Sequence, residues 1–241
     1  EKHATRFRSI QTSLLFVIVP AVIISMAVLS LMGYLSSKAI IQTSAGNEMS
    51  QCLSVAMGSI EMSLSNNRMV AETMARGVEA VQRQAVKGEQ TASDWDAAAY
   101  QEILTSFVGS NPETFGGGIW FEPYQYRPEQ RYFSPYCMRQ NGAVTYVDNY
   151  SLGEGVYYTD QDWYTNAANT TQKSVWSAPY YDEFAQISMV TSSAPIYDET
   201  GRFLGVATAD IDLTQMQQMV LSLDVVANGR AFLIDDTGVY I

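Results

Sequence analysis

The chain has 241 residues, 47% of them hydrophobic, with a formal charge of −11 and a single histidine. An acidic balance of this size excludes nucleic acid as a partner. Having one histidine, His3 near the N-terminus, removes the usual general base and the commonest metal ligand from the rest of the chain.

Leu14 to Leu35 carries no charge. As a helix of 1.5 Å rise per residue it would extend roughly 33 Å, enough to cross a bilayer core. Pro20 and Gly33 are tolerated in membrane helices. The apolar run outlasts the core of a cleaved signal peptide, so a retained helix is expected. Lys2, Arg6 and Arg8 precede it and only Lys38 follows closely, which predicts a cytoplasmic N-terminus and an extracytoplasmic main domain in the cell membrane. The part beyond residue 35 holds 24 acidic and 11 basic side chains, a formal charge of −13. Cys52 and Cys137 lie 85 positions apart, and a disulfide outside the cytoplasm is permitted but not implied. The chain lacks an initial Met and stops at Ile241 inside a predicted strand, so it reads as a fragment of a longer protein.

Residues 36–88 are predicted to continue as one long helix. Leu53, Met57, Ile60, Leu64, Ala71, Met74, Val78, Val81 and Ala85 form a heptad-like stripe, interrupted at Asn66-Asn67. Packing on its own domain and a seam with a second copy both satisfy that stripe, and a homodimer is the expected assembly. Lys87-Gly88 ends the helix, and Ser93 is a plausible N-cap for a short helix to about Val108, broken by Asn111-Pro112.

From Phe115 the pattern changes to strands and turns. Strands are expected from Gly116, over Arg131–Met138 and over Ala143–Val147, the last two joined by a tight turn at Asn141-Gly142. A loop over 148–162 precedes a short helix from Trp163 to Thr171. Strands then follow over Val175–Tyr181, Ile187–Tyr197 and Phe203–Ile211. Leu213–Leu223 is an amphipathic helix, and Arg230–Ile234 opens another strand. The fold class is therefore α+β, an antiparallel sheet with inserted helices, rather than alternating β-α-β.

Candidate functional residues concentrate late in this region. Val156–Tyr164 packs four aromatic rings and two carboxylates into nine residues. Rings and carboxylates together suit a small cation, through π faces and counter-charge. Tyr158, Asp160, Asp162, Trp163, Tyr164, Tyr181, Asp182 and Asp210 are the candidate ligand-binding residues. Core packing is the competing role for the rings, and turn or N-cap formation for Asp160, Asp162 and Asp182. Asp210 is the sharpest candidate, because it ends an apolar strand where an unpaired carboxylate is costly. Asp212 reads as an N-cap. An oxygen-ligated calcium site at Asp160, Asp162 and Asp210 lacks the glycine and terminal glutamate of an EF-hand loop, so no metal or cofactor is expected. No Gly-x-Ser-x-Gly motif or phosphate loop supports an enzyme.

Several of these segments, in this order, resemble the double Cache family of bacterial extracytoplasmic sensor domains. They are Tyr158–Tyr164, Val175–Asp182, Met189–Pro195, Gly205–Asp210 and Ala231–Asp235. The resemblance covers about residues 36–241 and, after the cytoplasmic start (1–13) and membrane helix (14–35) read above, implies a stalk helix (36–88), a membrane-distal PAS-like ligand module (89–220) and the start of a truncated proximal module (221–241). It implies a sensor of chemoreceptor type, with a cyclase- or kinase-linked sensor as the alternative. It also implies that Gln161 stands where amino-acid-binding members carry an arginine for the carboxylate, and that Asp210 stands where they hold the amino group. That combination tilts the expected ligand toward an amine, with amino-acid-like and purine-like solutes still open. The reading from a different class is a ligand-free extracytoplasmic interaction module.

Overall fold

The structure, a computed structural model, describes residues 10–87, 97–148, 150, 155–223, 231–234 and 238. The described residues divide into two compact units, one containing residues 10–54 and the other residues 55–223.

The first unit contains the start of α1 (Ile10–Lys87), a 78-residue helix that includes Pro20. Its apolar segment is long and apolar enough to cross a membrane. From Leu14 to Leu35 its side chains are exposed, as a lipid-facing helix requires.

The second unit is a seven-stranded antiparallel sheet with helices on it, the α+β arrangement expected. Its elements are α2 (Ala97–Ser110), β1 (Gly116–Phe121), β2 (Tyr136–Gln140), β3 (Ala143–Val147), α3 (Asp162–Ala168), β4 (Val175–Trp176), β5 (Tyr180–Asp182), β6 (Ile187–Tyr197), β7 (Phe203–Asp212) and α4 (Leu213–Leu221). The strand order is β3-β2-β1-β7-β6-β4, and β5 also pairs with β6. Asn141 and Gly142 both take positive φ, 51° and 80°, as the two-residue turn between β2 and β3 demands.

Strand alternation gives this sheet two different faces. Ile119 and Phe121 of β1, Ala194 and Ile196 of β6, and Ala207 and Ala209 of β7 pack with Met74 and Val78 of α1 and Leu104 and Val108 of α2. The stripe on α1 thus divides. Ala71, Met74 and Val78 are buried on the chain's own sheet, whereas Leu53 and Met57 are exposed. Asn67, within the interruption of the stripe, is fully buried, and its carbonyl accepts the Thr114 hydroxyl at 3.0 Å. Arg139 of β2 donates to the Val108, Asn111 and Thr114 carbonyls, closing the C-terminal end of α2.

Several boundaries differ from the sequence expectation. The second strand begins at Tyr136 rather than Arg131, because Pro135 cannot donate to a ladder, although the Pro135 and Phe133 carbonyls still accept the Ile119 and Phe121 amides of β1. The expected Val175–Tyr181 strand is split in two by Ser177-Ala178-Pro179. The helix after the aromatic loop runs from Asp162 to Ala168, after a single 3₁₀ turn at Tyr158–Asp160. The helix after β7 ends at Leu221 rather than Leu223. Ser93 and Arg230 lie outside the described residues. Cys52 and Cys137 are free thiols, and Cys137 is buried in the helix-side core.

Candidate ligand site

The opposite face of the sheet carries Gly118 and Trp120 of β1, Tyr136 of β2, Thr208 and Asp210 of β7, and Met189 and Thr191 of β6. The register aligns them: Gly116 pairs with Asp210, Gly118 with both Thr208 and Tyr136, and Thr191 with Asp210. α3 contributes Trp163, β5 contributes Tyr180 and Asp182, and Tyr150 comes from the loop after β3. Together these side chains enclose a small cavity. Its free space is about 10 Å³, room for a water-sized guest.

Two glycines shape the wall. A Cβ on Gly116 would lie 2.2 Å from the Tyr136 hydroxyl, and one on Gly118 would lie 2.6 Å from the Trp120 indole. Bare backbone at these positions lets the phenol reach Asp210 and lets the indole lie across β1. The indole Nε1 donates to the Thr208 hydroxyl at 2.8 Å, and the Gly118 amide donates to the same oxygen at 3.1 Å. Trp120 meets Trp163 with ring centroids 4.8 Å apart and Tyr150 at 5.5 Å, and Tyr136 meets Tyr150 at 4.6 Å.

Both carboxylates of the cavity are buried, Asp182 at 5% and Asp210 at 3% exposure. Asp210 accepts the Tyr136 phenol and the Thr191 hydroxyl, each at 2.7 Å, and Thr191 is linked in turn to the Tyr180 phenol at 2.8 Å. Asp182 accepts the Tyr150 phenol at 2.5 Å and the Ala185 amide at 2.7 Å. Burial pushes the Asp210 carboxyl up to about 7. The hydroxyls of Tyr136 and Thr191 pull it down, and the charge of Asp182 raises it again. Burial raises the Tyr136, Tyr150 and Tyr180 phenols far above their ordinary value, and the neighbouring carboxylates add to the effect. The described lining contains no lysine, arginine or histidine.

The eight candidate residues separate into three groups. Trp163, Asp182 and Asp210 line the cavity. Asp160, Asp162 and Tyr181 line an open groove of about 400 Å³ on its outer side, together with Gln161 and Pro179. Trp163 and Tyr180 belong to both spaces and form the partition between them. Tyr158 and Tyr164 line neither space. Tyr158 donates to the Phe121 carbonyl and Tyr164 to the Glu122 carboxylate at 2.7 Å, and both serve the aromatic core around α3. Asp212 accepts the Thr214 amide at 2.8 Å and starts α4.

Sequence reasoning did not select Trp120, Tyr136, Tyr150, Tyr180, Met189, Thr191 or Thr208. Part of the signal was present. In an extended strand, residues two before Asp210 and two or four before Trp120 share its face, which marks Thr208, Gly118 and Gly116. The same rule puts Tyr180 with Asp182 and turns Tyr181 outward, where it is 59% exposed.

Comparison with known proteins bears on this geometry. Residues 100–218 match the family model described as methyl-accepting chemotaxis protein-like, first PDC sensor domain. The methyl-accepting chemotaxis protein McpC of Bacillus subtilis is 39% identical over 80 residues, 33% of this chain and 12% of that protein. McpA of Pseudomonas putida is 26% identical over 196 residues, 79% of this chain and 30% of that protein. The chain therefore spans less than a third of either relative. Among solved structures, the sensory domain of the Campylobacter jejuni chemoreceptor Tlp3 with isoleucine bound has a TM-score of 0.58 at 17% identity. It covers 84% of this chain and 71% of that one, a likeness of fold.

Proposed function

We propose, for a chain whose residues 100–218 form a Cache-type PDC sensor domain of the methyl-accepting chemotaxis kind, that it is the sensing part of a membrane receptor for a small organic cation. The observation that carries this reading is the cavity wall. Five aromatic rings and two buried carboxylates face one space, and no lining side chain among the described residues supplies positive charge. Uncompensated buried carboxylates are costly, whereas a cation enclosed by π faces and carboxylates offsets that cost. Gln161 supports an amine over an amino acid. Its amide donates to the Tyr157 carbonyl, and it brings no charge to meet a ligand carboxylate.

The cavity in this state is too small for an organic cation, so the partition of Trp163 and Tyr180 moves on binding and joins the cavity to the outer groove. Apparent affinity is then lowered by the fraction of molecules that are closed. Occupancy biases α1, which packs on the far face of the same sheet, and the bias reaches the membrane as a population shift. Lys2, Arg6 and Arg8 before the apolar segment put the sensor outside the cytoplasm, and chemotaxis is the output favoured by the curated relatives.

The small cavity also favours a second reading, a ligand-free interaction module. Against it stand the two buried carboxylates, which such a module does not need. A thermal-shift screen of the chain in lipid nanodiscs against amines, amino acids, purines and organic acids decides between them, because a ligand of the native state raises the melting temperature. A shift with amines that Asp210→Ala abolishes is the expected result. A response confined to organic acids would sink the cation reading, and silence across the screen would leave the interaction module.

A further inference from the structure

Asp210 faces a set of groups that cannot balance its charge. Its own strand adds Thr208, whose hydroxyl is occupied by Trp120 and Gly118. Tyr136 reaches it from β2 and Thr191 from β6, while β5 brings Tyr180 and Asp182, the loop after β3 brings Tyr150, and α3 brings Trp163. The ionisable members of this set are three phenols and a second carboxyl. The described lining therefore combines two acids with no base, inside a space that admits one water-sized guest.

Removing an unpaired carboxylate from water costs several kcal/mol even after relaxation. A proton neutralises it at least cost when no cation is present, and a cation in the cavity makes that proton unnecessary. Resting on the cation reading above, we propose that the site exchanges a proton for its ligand, Asp210 being protonated in the empty cavity and ionised when an organic cation occupies it. The carboxyl O–H bond breaks, the proton passes to water or buffer, and the incoming cation takes up the carboxylate charge. The net charge of the cavity stays constant and no electrons are transferred. The receptor thus reads the ratio of cation to proton rather than cation alone. Burial places the Asp210 midpoint at about 7, where modest changes in external pH shift the competent fraction.

The test uses tetramethylammonium, a cation with no proton to lose, so that any proton released comes from the protein. The chain in lipid nanodiscs is titrated calorimetrically at several pH values, each in two buffers of different ionisation enthalpy. On the acid side of the midpoint, about one proton leaves per cation bound, and the apparent dissociation constant rises about tenfold for each pH unit lowered. On the alkaline side both effects vanish. Asp210→Asn, which carries an amide of the same shape, releases no proton at any pH. Infrared difference spectra of the ligand-free chain show a protonated carboxyl band at acid pH that is missing in Asp210→Asn.

Binding with no proton release and with pH-independent affinity overturns the exchange and leaves the cation reading intact. Absence of the carboxyl band from the ligand-free chain at acid pH also overturns the exchange alone. A band that is present, with no tetramethylammonium bound at either end of the pH range, overturns the cation reading and the exchange with it.

Discussion

Two pairs of carboxylates lie on opposite sides of one aromatic partition. Asp182 and Asp210 are almost completely buried, and phenols and hydroxyls hold their oxygens. Asp160 and Asp162 stand exposed in the outer groove, beside Gln161 and Tyr181. In sequence Asp160, Asp162 and Asp182 look alike, each near a Trp or Tyr, whereas Asp210 ends an apolar strand. Their surroundings make them physically different. Charge in water is screened and worth little, whereas charge in a closed cavity acts at low effective dielectric and demands a partner. The inner pair is therefore expected to set affinity, and the outer pair to affect mainly the rate of capture and its salt dependence.

The largest expected effect follows from removing the inner charge. Asp210→Ala should weaken organic-cation binding by about 2–5 kcal/mol, the range found when one member of a buried charge pair is truncated. Calorimetry on the chain in nanodiscs measures this directly. A loss no larger than that of an outer-groove variant would erase the distinction between the pairs.

That contrast also explains which parts of the protein could be read without coordinates. Asp210 was visible because local sequence alone puts a carboxylate at the end of an apolar strand. The membrane-length helix and the antiparallel texture were visible for a similar reason, since composition and short-range periodicity determine both. Trp120, Tyr136 and Tyr150 were not visible, because the site forms only when β1, β2 and β7 align. Gly116 meets Asp210 across 94 positions of sequence, and only the ladder register reveals that pairing. Choosing Tyr181 together with Asp182 conflicts with the two-residue period of a strand. Neighbours on β5 point to opposite sides, and Tyr180 is the ring that shares the cavity.

The next effect concerns stability and pH. The Asp210 carboxyl titrates near 7 when folded and near its ordinary value of 3.8 when unfolded, so the native state binds more protons between those limits. Stability is then fully present below the unfolded value and declines as pH rises toward the folded value, by about 1.4 kcal/mol per unit of displacement. Asp210→Asn removes this dependence. Urea midpoints of the ligand-free chain, taken as the difference between wild type and variant across acid to neutral pH, should converge or cross as pH rises. Parallel curves would mean that Asp210 ionises normally despite its burial.

A subtler change tests whether the inner pair depends on its supporting backbone. Gly116→Ala places a methyl where the Tyr136 hydroxyl lies, and forces that phenol away from Asp210. Overpacking of this kind costs about 1–3 kcal/mol of stability. Loss of the hydrogen bond to a charged group should weaken cation binding by a further factor of roughly ten. Gly142→Ala, in the β2–β3 turn away from the cavity, is the control. It strains a positive φ of 80° and should lower stability without changing affinity in the fraction that stays folded. Equal affinities in the two variants would remove Gly116 from the site.

The smallest effect belongs to the outer pair. Asp160→Asn with Asp162→Asn should change equilibrium affinity by less than about 1 kcal/mol, because exposed charges interact weakly through water. Their contribution lies in the encounter. Carboxylates at the mouth of a groove raise the local concentration of cations, so the double variant should bind more slowly, with a flatter dependence on ionic strength. Stopped-flow fluorescence is suited to this test because Trp163, which separates groove from cavity, is a natural reporter of arrival. A slower association rate with an unchanged dissociation rate assigns the outer pair to steering. An unchanged association rate with faster dissociation would instead place part of the bound ligand in the groove, and the boundary of the site would then move outward past Trp163 to include Asp160 and Asp162.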